Sequence, residues 1–157
     1  MPPKMLVDIT KLDLDRVEDD LEGVRKYNQQ RHEFEMLSGV IHYDADAGAV
    51  VAFKQTSDRD FWVRGHIPGR PLMPGVLICE CAAQTCSYCF GRSAARDGFM
   101  GFAGLDKVKF RGQVLPGDRL IMVAKVSKMT SRICAFDCQG FVNGRMVFEG
   151  VIQGITL

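Results

Sequence analysis

The sequence predicts an α+β fold in which one buried helix lies against a curved antiparallel sheet. Three observations carry that expectation. Residues 76–90 contain neither Gly nor Pro and place apolar or small side chains on nearly every face, the mark of a helix enclosed by a core. Residues 40–43 and 49–53 are strand-like runs joined by a polar turn over residues 44–48. Asn143-Gly144 separates a run over 133–142 from another over 145–155, and Asn-Gly in that setting is the strongest short hairpin signal.

The remaining segments fall into place around these. Residues 8–26 are rich in acid and leucine, with a weakly helical spacing of Leu12, Leu14, Val17, Leu21 and Val24 that predicts a solvated flank or a short helix. Residues 62–75 hold three prolines and three glycines and read as an ordered loop. Gly91 is the expected helix stop. Val108-Lys109-Phe110 reads as a strand leading to a turn at Pro116-Gly117-Asp118, with a further strand over 120–126. No repeat, low-complexity tract or linker divides the chain, so residues 1–157 are expected to form one domain, with 1–30 as its N-terminal flank.

Composition excludes several classes of function. A net charge of +1 lacks the basic excess of a nucleic-acid-binding domain. The first residues contain no apolar run suited to a signal peptide. The longest apolar stretch, residues 76–81, is interrupted by Glu80 and far too short to span a bilayer, so no membrane insertion and a cytoplasmic location are expected. Of six cysteines, Cys79, Cys81, Cys86 and Cys89 fall within eleven residues, while Cys134 and Cys138 lie apart. Cys86-Ser87-Tyr88-Cys89 has CxxC spacing but no second CxxC or histidine pair beside it, so reduced thiols packed in the core are expected and no metal is.

The chemistry concentrates between Gly65 and Gln84. Glu80 is a carboxyl group on an otherwise apolar helix, where burial is costly unless the acid is paired or keeps its proton. A structural pairing with an arginine is the alternative use of such a group. His66 lies in a loop stiffened by Pro68 and Pro71; a lone histidine is more often structural than catalytic. Gly75 follows Pro74 at the helix start, where backbone amides lack partners and the helix dipole favours developing negative charge. A neutral histidine as base, a protonated glutamate as acid and an amide donor are what β-elimination beside a carbonyl requires. His32 and His42 have no such surroundings and are expected to be surface or strand residues.

The segment Gly65-His66-Ile67-Pro68-Gly69-Arg70-Pro71-Leu72-Met73-Pro74-Gly75-Val76-Leu77, followed by Glu80-Cys81-Ala82-Ala83-Gln84, closely resembles the active-site motif of 3-hydroxyacyl-[acyl-carrier-protein] dehydratases, down to the fourteen-residue step from His66 to Glu80. Gly104-Leu105-Asp106-Lys107-Val108-Lys109-Phe110-Arg111 with Val114-Leu115-Pro116-Gly117-Asp118 is a second match, and the resemblance runs from about Arg31 to the C-terminus. Ile67 stands where that family has phenylalanine, Cys81 where it has alanine, and Gln30-Arg31-His32-Glu33-Phe34 where it has His-Arg-Tyr-Pro-Phe, which marks a divergent branch.

The resemblance implies a hot-dog fold, the sheet wrapped around the helix, and dehydration of a (3R)-3-hydroxyacyl thioester to the trans-2-enoyl thioester. His66 and Glu80 would be catalytic. Gly75 and Val76 would hold the thioester carbonyl through their amides, and Gln84 would either orient the Glu80 carboxyl or simply satisfy the core. The acyl carrier would be acyl carrier protein or coenzyme A. No cofactor is implied, and the assembly would be a homodimer, in that family often a hexamer built as a trimer of dimers. Basic residues for docking an acidic carrier are sought among Arg64, Arg92, Arg96, Lys107, Lys109 and Arg111. The rival readings are a dehydratase-isomerase, which has aspartate where Glu80 stands, a hot-dog thioesterase, and a non-catalytic acyl-thioester-binding module.

Overall fold

The computed structural model describes residues 3–93 and 98–157. Six antiparallel strands form one sheet in the order β1-β2-β4-β5-β6-β3, where β1 is Gly39–Asp44, β2 Ala49–Gln55, β3 Met100–Phe110, β4 Arg119–Met129, β5 Ile133–Val142 and β6 Arg145–Thr156. A long helix, Gly75–Arg92, here α2, is laid across it, while a short helix α1, Leu21–Arg25, precedes the sheet. This is the hot-dog arrangement, with the expected helix and hairpins in place.

The strands divide their side chains between two cores because successive residues point to opposite faces. Val50 and Ala52 of β2 and Leu120, Met122 and Ala124 of β4 pack toward α2, together with Phe136, Cys138, Phe148 and Ile152. Val51, Phe53, Ile121, Val123 and Phe141 form a second cluster on the outer face. The N-terminal flank covers that outer face: Ile9 is buried in it, and Met5, Leu6, Val7, Leu12 and Leu14 pack on it. The expectation of a solvated flank is therefore corrected, although the short helix is real. Leucines spaced for a helix instead lie over a sheet face that would otherwise be bare.

The helix of the sequence reading is present but longer. It runs through Gly91 to Arg92 rather than stopping at the glycine, since Gly91 lies against the Tyr27 side chain and not in a left-handed turn. Its C-terminal end is latched to the flank. The Tyr88 hydroxyl donates to Asp19 at 2.6 Å, and Arg92 pairs with Glu18 and Asp19 while lying 4.4 Å over the Tyr43 ring. At the β5–β6 turn Asn143 and Gly144 take φ values of 49° and 74°, the double left-handed conformation that an Asn-Gly hairpin needs. Strand β3 begins at Met100, well before the residues that signalled it, because its exposed edge residues mask the alternation.

All six cysteines are buried thiols outside any disulfide. Cys86 Sγ lies 3.5 Å from Cys138 Sγ between α2 and β5, and burial pushes the Cys81 and Cys89 thiols up to about 12. They pack as small apolar residues, as the sequence reading expected.

Candidate active site

The loop over residues 62–74 is ordered by its own backbone. His66 N–H donates to Trp62 O at 2.7 Å, Leu72 N–H to His66 O at 3.0 Å, and Ile67 and Arg70 bond each other through both amides. Met73 N–H then donates to Val114 O at 2.8 Å, tying the loop to the segment before β4. The His66–Ile67 peptide is cis. This scaffold holds the imidazole in one orientation, with Nδ1 at 2.8 Å from Leu72 O. A carbonyl oxygen only accepts, so Nδ1 carries the hydrogen. Nε2 of the neutral ring is left with its lone pair, the form a general base needs.

Glu80 sits on α2, half-buried, one turn before Gln84. Gln84 is only 2% exposed and uses both ends of its amide. Its Oε1 accepts from Met36 N–H at 3.0 Å, which fixes which end is oxygen. Its Nε2 therefore faces the other way, donating to Phe34 O at 2.6 Å and to Glu80 Oε1 at 2.8 Å. Asn28 Nδ2 donates to the Gln84 carbonyl at 2.9 Å. Glu80 Oε1 is thus held as an acceptor, so a proton on this carboxyl belongs on Oε2. One Gln84 side chain thus bonds both buried backbone and the Glu80 carboxyl.

The first turn of α2 has no side-chain cap at Pro74. Leu77 and Ile78 amides donate back to Pro74 O, while those of Gly75 and Val76 make no hydrogen bond among the described residues. A Cβ on Gly75 would stand 2.8 Å from the half-exposed Phe110 ring of β3, so glycine lets that ring lie close over the helix start. Val76 is 75% exposed although the helix behind it is enclosed. Two free amides at the positive end of an eighteen-residue helix suit a carbonyl oxygen that gains negative charge.

Glu80 lines a small cavity of about 70 Å³ with Gln30, Ala83, Ser87, Phe99, Met100 and Phe102. Glu80, Ala83 and Ser87 share a helix face at steps of three and four, a pattern readable in the sequence; Gln30 and Phe102 come from distant segments with no local signal. His66 is not among the residues lining this cavity, and no hydrogen bond joins it to Glu80 among the described residues. Within one chain the two predicted groups are thus each positioned but not brought together. A wider cleft of about 620 Å³ lies elsewhere, between Arg111, Gln113 and the β5–β6 turn, and neither group lines it. Size alone does not locate this site.

His32 is exposed and His42 lies on β1, 3.9 Å from Glu18, as expected of residues outside the chemistry. Of the basic residues considered for docking, Arg92 belongs to the flank latch, and Lys109 and Arg111 both reach Glu149. Arg64 and Lys107 are exposed and form no ion pair among the described residues. Arg96 lies outside the described residues.

A family model for the FabA-like domain matches residues 28–151. The chain belongs to the FabA-like domain family. Among curated members, it is 36% identical over 126 residues to the 3-hydroxyacyl-[acyl-carrier-protein] dehydratase FabZ of Lawsonia intracellularis, covering 78% of this chain and 82% of that one. It is 31% identical over 140 residues to the bifunctional enzyme LpxC/FabZ of Chlorobaculum tepidum, covering 88% of this chain but 30% of that relative's length. Among solved structures, the dehydratase heterocomplex ApeI:P from Xenorhabdus doucetiae superposes with a TM-score of 0.73 at 17% identity, over 85% of this chain and 90% of that one. The E. coli PaaI protein superposes with a TM-score of 0.60 at 14% identity, over 75% and 78%. At such identities the structures share the hot-dog fold alone. The matched span begins at residue 28, so it takes in Gln30 and every predicted site residue.

Proposed function

We propose that this FabA-like domain protein is a 3-hydroxyacyl thioester dehydratase, converting a (3R)-3-hydroxyacyl chain on a carrier to the trans-2-enoyl thioester in fatty-acid or related acyl-chain synthesis. The observation that carries this reading is the fixed state of two groups: His66 with a free Nε2 lone pair, and Glu80 with Oε1 pinned by Gln84 and Oε2 left for a proton. Similarity to FabZ supports it. His66 Nε2 takes a proton from C2, and the electrons of that C–H bond form the C2–C3 double bond. The C3–O bond breaks as Glu80 Oε2 gives its proton to the hydroxyl, which leaves as water. The Gly75 and Val76 amides hold the thioester oxygen while it carries enolate charge. Every step is carried by side chains and amides of the protein itself.

His66 and Glu80 meet across a twofold axis in this proposal, each site taking one from either subunit. Strand β3 is eleven residues long, pairs among the described residues only with β6, and leaves its other edge open there with Phe102, Leu105 and Phe110 exposed. A long open edge with apolar side chains invites a second copy, and a twofold pairing through it is self-complementary. The homodimer is the working unit, and Arg64 and Lys107 are the docking residues for an acidic carrier. The proposed location is the cytoplasm; among the described residues no helix is long and apolar enough to cross a membrane.

The deciding assay gives purified protein a 3-hydroxyacyl thioester and follows enoyl absorbance and free thiol separately. Enoyl product without thiol is expected. Thiol release would indicate a thioesterase, and neither signal a binding module. His66→Ala and Glu80→Gln should each lower kcat by about two to four orders of magnitude, the usual scale for general acid–base groups.

A further inference from the structure

The cavity beside Glu80 has a polar group that the mechanism above does not use. Gln30 lines it, and lines as well the small void between α1 and Gln84 that contains Asn28 and Glu35. Its side-chain Oε1 is buried and accepts no hydrogen bond among the described residues. A buried amide oxygen without a donor is costly, and one that persists at a reaction site is most simply explained by a donor that arrives with the substrate. Of the other described lining residues, Ala83, Phe99, Met100 and Phe102 are apolar, Ser87 is a short hydroxyl on the helix, and Glu80 Oε1 is already engaged by Gln84.

We propose that Gln30 is a further catalytic residue, its Oε1 accepting a hydrogen bond from the hydrogen of the substrate's C3 hydroxyl as that hydroxyl leaves. This rests on the dehydratase reading. The leaving oxygen takes a proton from Glu80 Oε2 and becomes water, so its own hydrogen grows more positive as the C3–O bond stretches. An acceptor on that hydrogen binds the transition state more strongly than the ground state, and that difference is what accelerates a step. It also turns the oxygen so that a lone pair, not the hydrogen, faces Glu80. Gln30 transfers nothing; the proton from C2 goes to His66 and the proton from Glu80 leaves in water.

The test is Gln30→Leu, which removes the acceptor at similar size, assayed on two minimal pantetheine thioesters. One is a 3-hydroxyacyl thioester. The other is its 3-chloro analogue, whose chloride leaves without any hydrogen to donate. On the hydroxy substrate kcat should fall about 10- to 100-fold with little change in KM, the range for one hydrogen bond to a charge-bearing group. On the chloro substrate, corrected for spontaneous elimination, the variant should stay within about twofold of wild type, since only the hydroxyl donates to Gln30. Equal losses on both substrates would mean that Gln30 acts through the fold and would overturn its role, as would full activity on the hydroxy substrate. Wild-type protein that dehydrates no hydroxyacyl thioester would overturn the parent reading and this one with it, whereas an active wild type with an unaffected variant would overturn only the role of Gln30.

Discussion

Gln84→Glu changes one group by one atom, yet the geometry gives it a large and pH-dependent cost. The end of the Gln84 amide that faces Met36 N–H is an acceptor in either residue, so that bond survives. The other end now donates two hydrogens, to Phe34 O at 2.6 Å and Glu80 Oε1 at 2.8 Å. An ionised carboxylate there would set an oxygen against two acceptors. A protonated one could satisfy only one of them, so even the neutral form should cost ~1–3 kcal/mol for the acceptor left over. Burial and the neighbouring carboxyl both raise the pKa of the introduced acid. With a folded pKa above the unfolded value of about 4.3, the variant is closest to wild type below that value. It loses stability as pH rises toward the folded pKa, at about 1.4 kcal/mol per pH unit. A rise of about two units would then add roughly 3 kcal/mol by neutral pH, and at about 2–4 °C per kcal/mol for a domain of this size the Tm deficit should widen by about 6–12 °C. The assay is thermal unfolding of both proteins from pH 4.5 to 7.5 at one protein concentration, with Gln84→Met as a control that lacks both donors at every pH. A deficit that stays constant across that range would refute the proposed clamp on Glu80.

Three further outcomes follow from the same geometry. Mixing inactive His66→Ala and Glu80→Gln proteins under subunit exchange should restore activity to roughly a quarter of all sites, because half the dimers are mixed and each has one intact site; mixed dimers confirmed by mass spectrometry but inactive would exclude a shared site. Gly75→Ala should change stability by less than ~1 kcal/mol, since the half-exposed Phe110 ring can swing aside, yet lower kcat by about tenfold or more by placing a methyl group and a displaced ring beside the amides; unchanged turnover would argue against those amides as the carbonyl site. The buried thiols should resist a disulfide reagent at pH 8, because with Cys81 and Cys89 pushed up to about 12 the thiolate fraction is near ~10⁻⁴, and all six should react once guanidinium unfolds the chain; rapid labelling of the native protein would contradict their burial.

Much of this protein was legible in the sequence because the deciding forces were local. The helix announced itself by an unbroken apolar surface, the β5–β6 hairpin by Asn143-Gly144, and the loop holding His66 by its prolines and glycines. The candidate site between His66 and Gln84 could be proposed from the sequence for the same reason: imidazole, helix-start glycine, carboxyl and amide lie in one continuous stretch. Tertiary structure decided what contiguous sequence cannot encode. That residues 5–14 cover the outer sheet face follows from which apolar surface the sheet leaves bare, not from their own spacing. That Gln84 is turned toward Glu80 follows from Met36 and Phe34, nearly fifty residues upstream, which take the rest of its hydrogen-bonding capacity. Gln30 reached the wall beside Glu80 only because the flank folds back against α2, and no pattern around residue 30 foretold it. Local sequence settles conformation and intrinsic chemistry, whereas hydrogen-bond partners and neighbours at a site are set by long-range packing, which buries polar groups from separate segments together and leaves each to find a partner there.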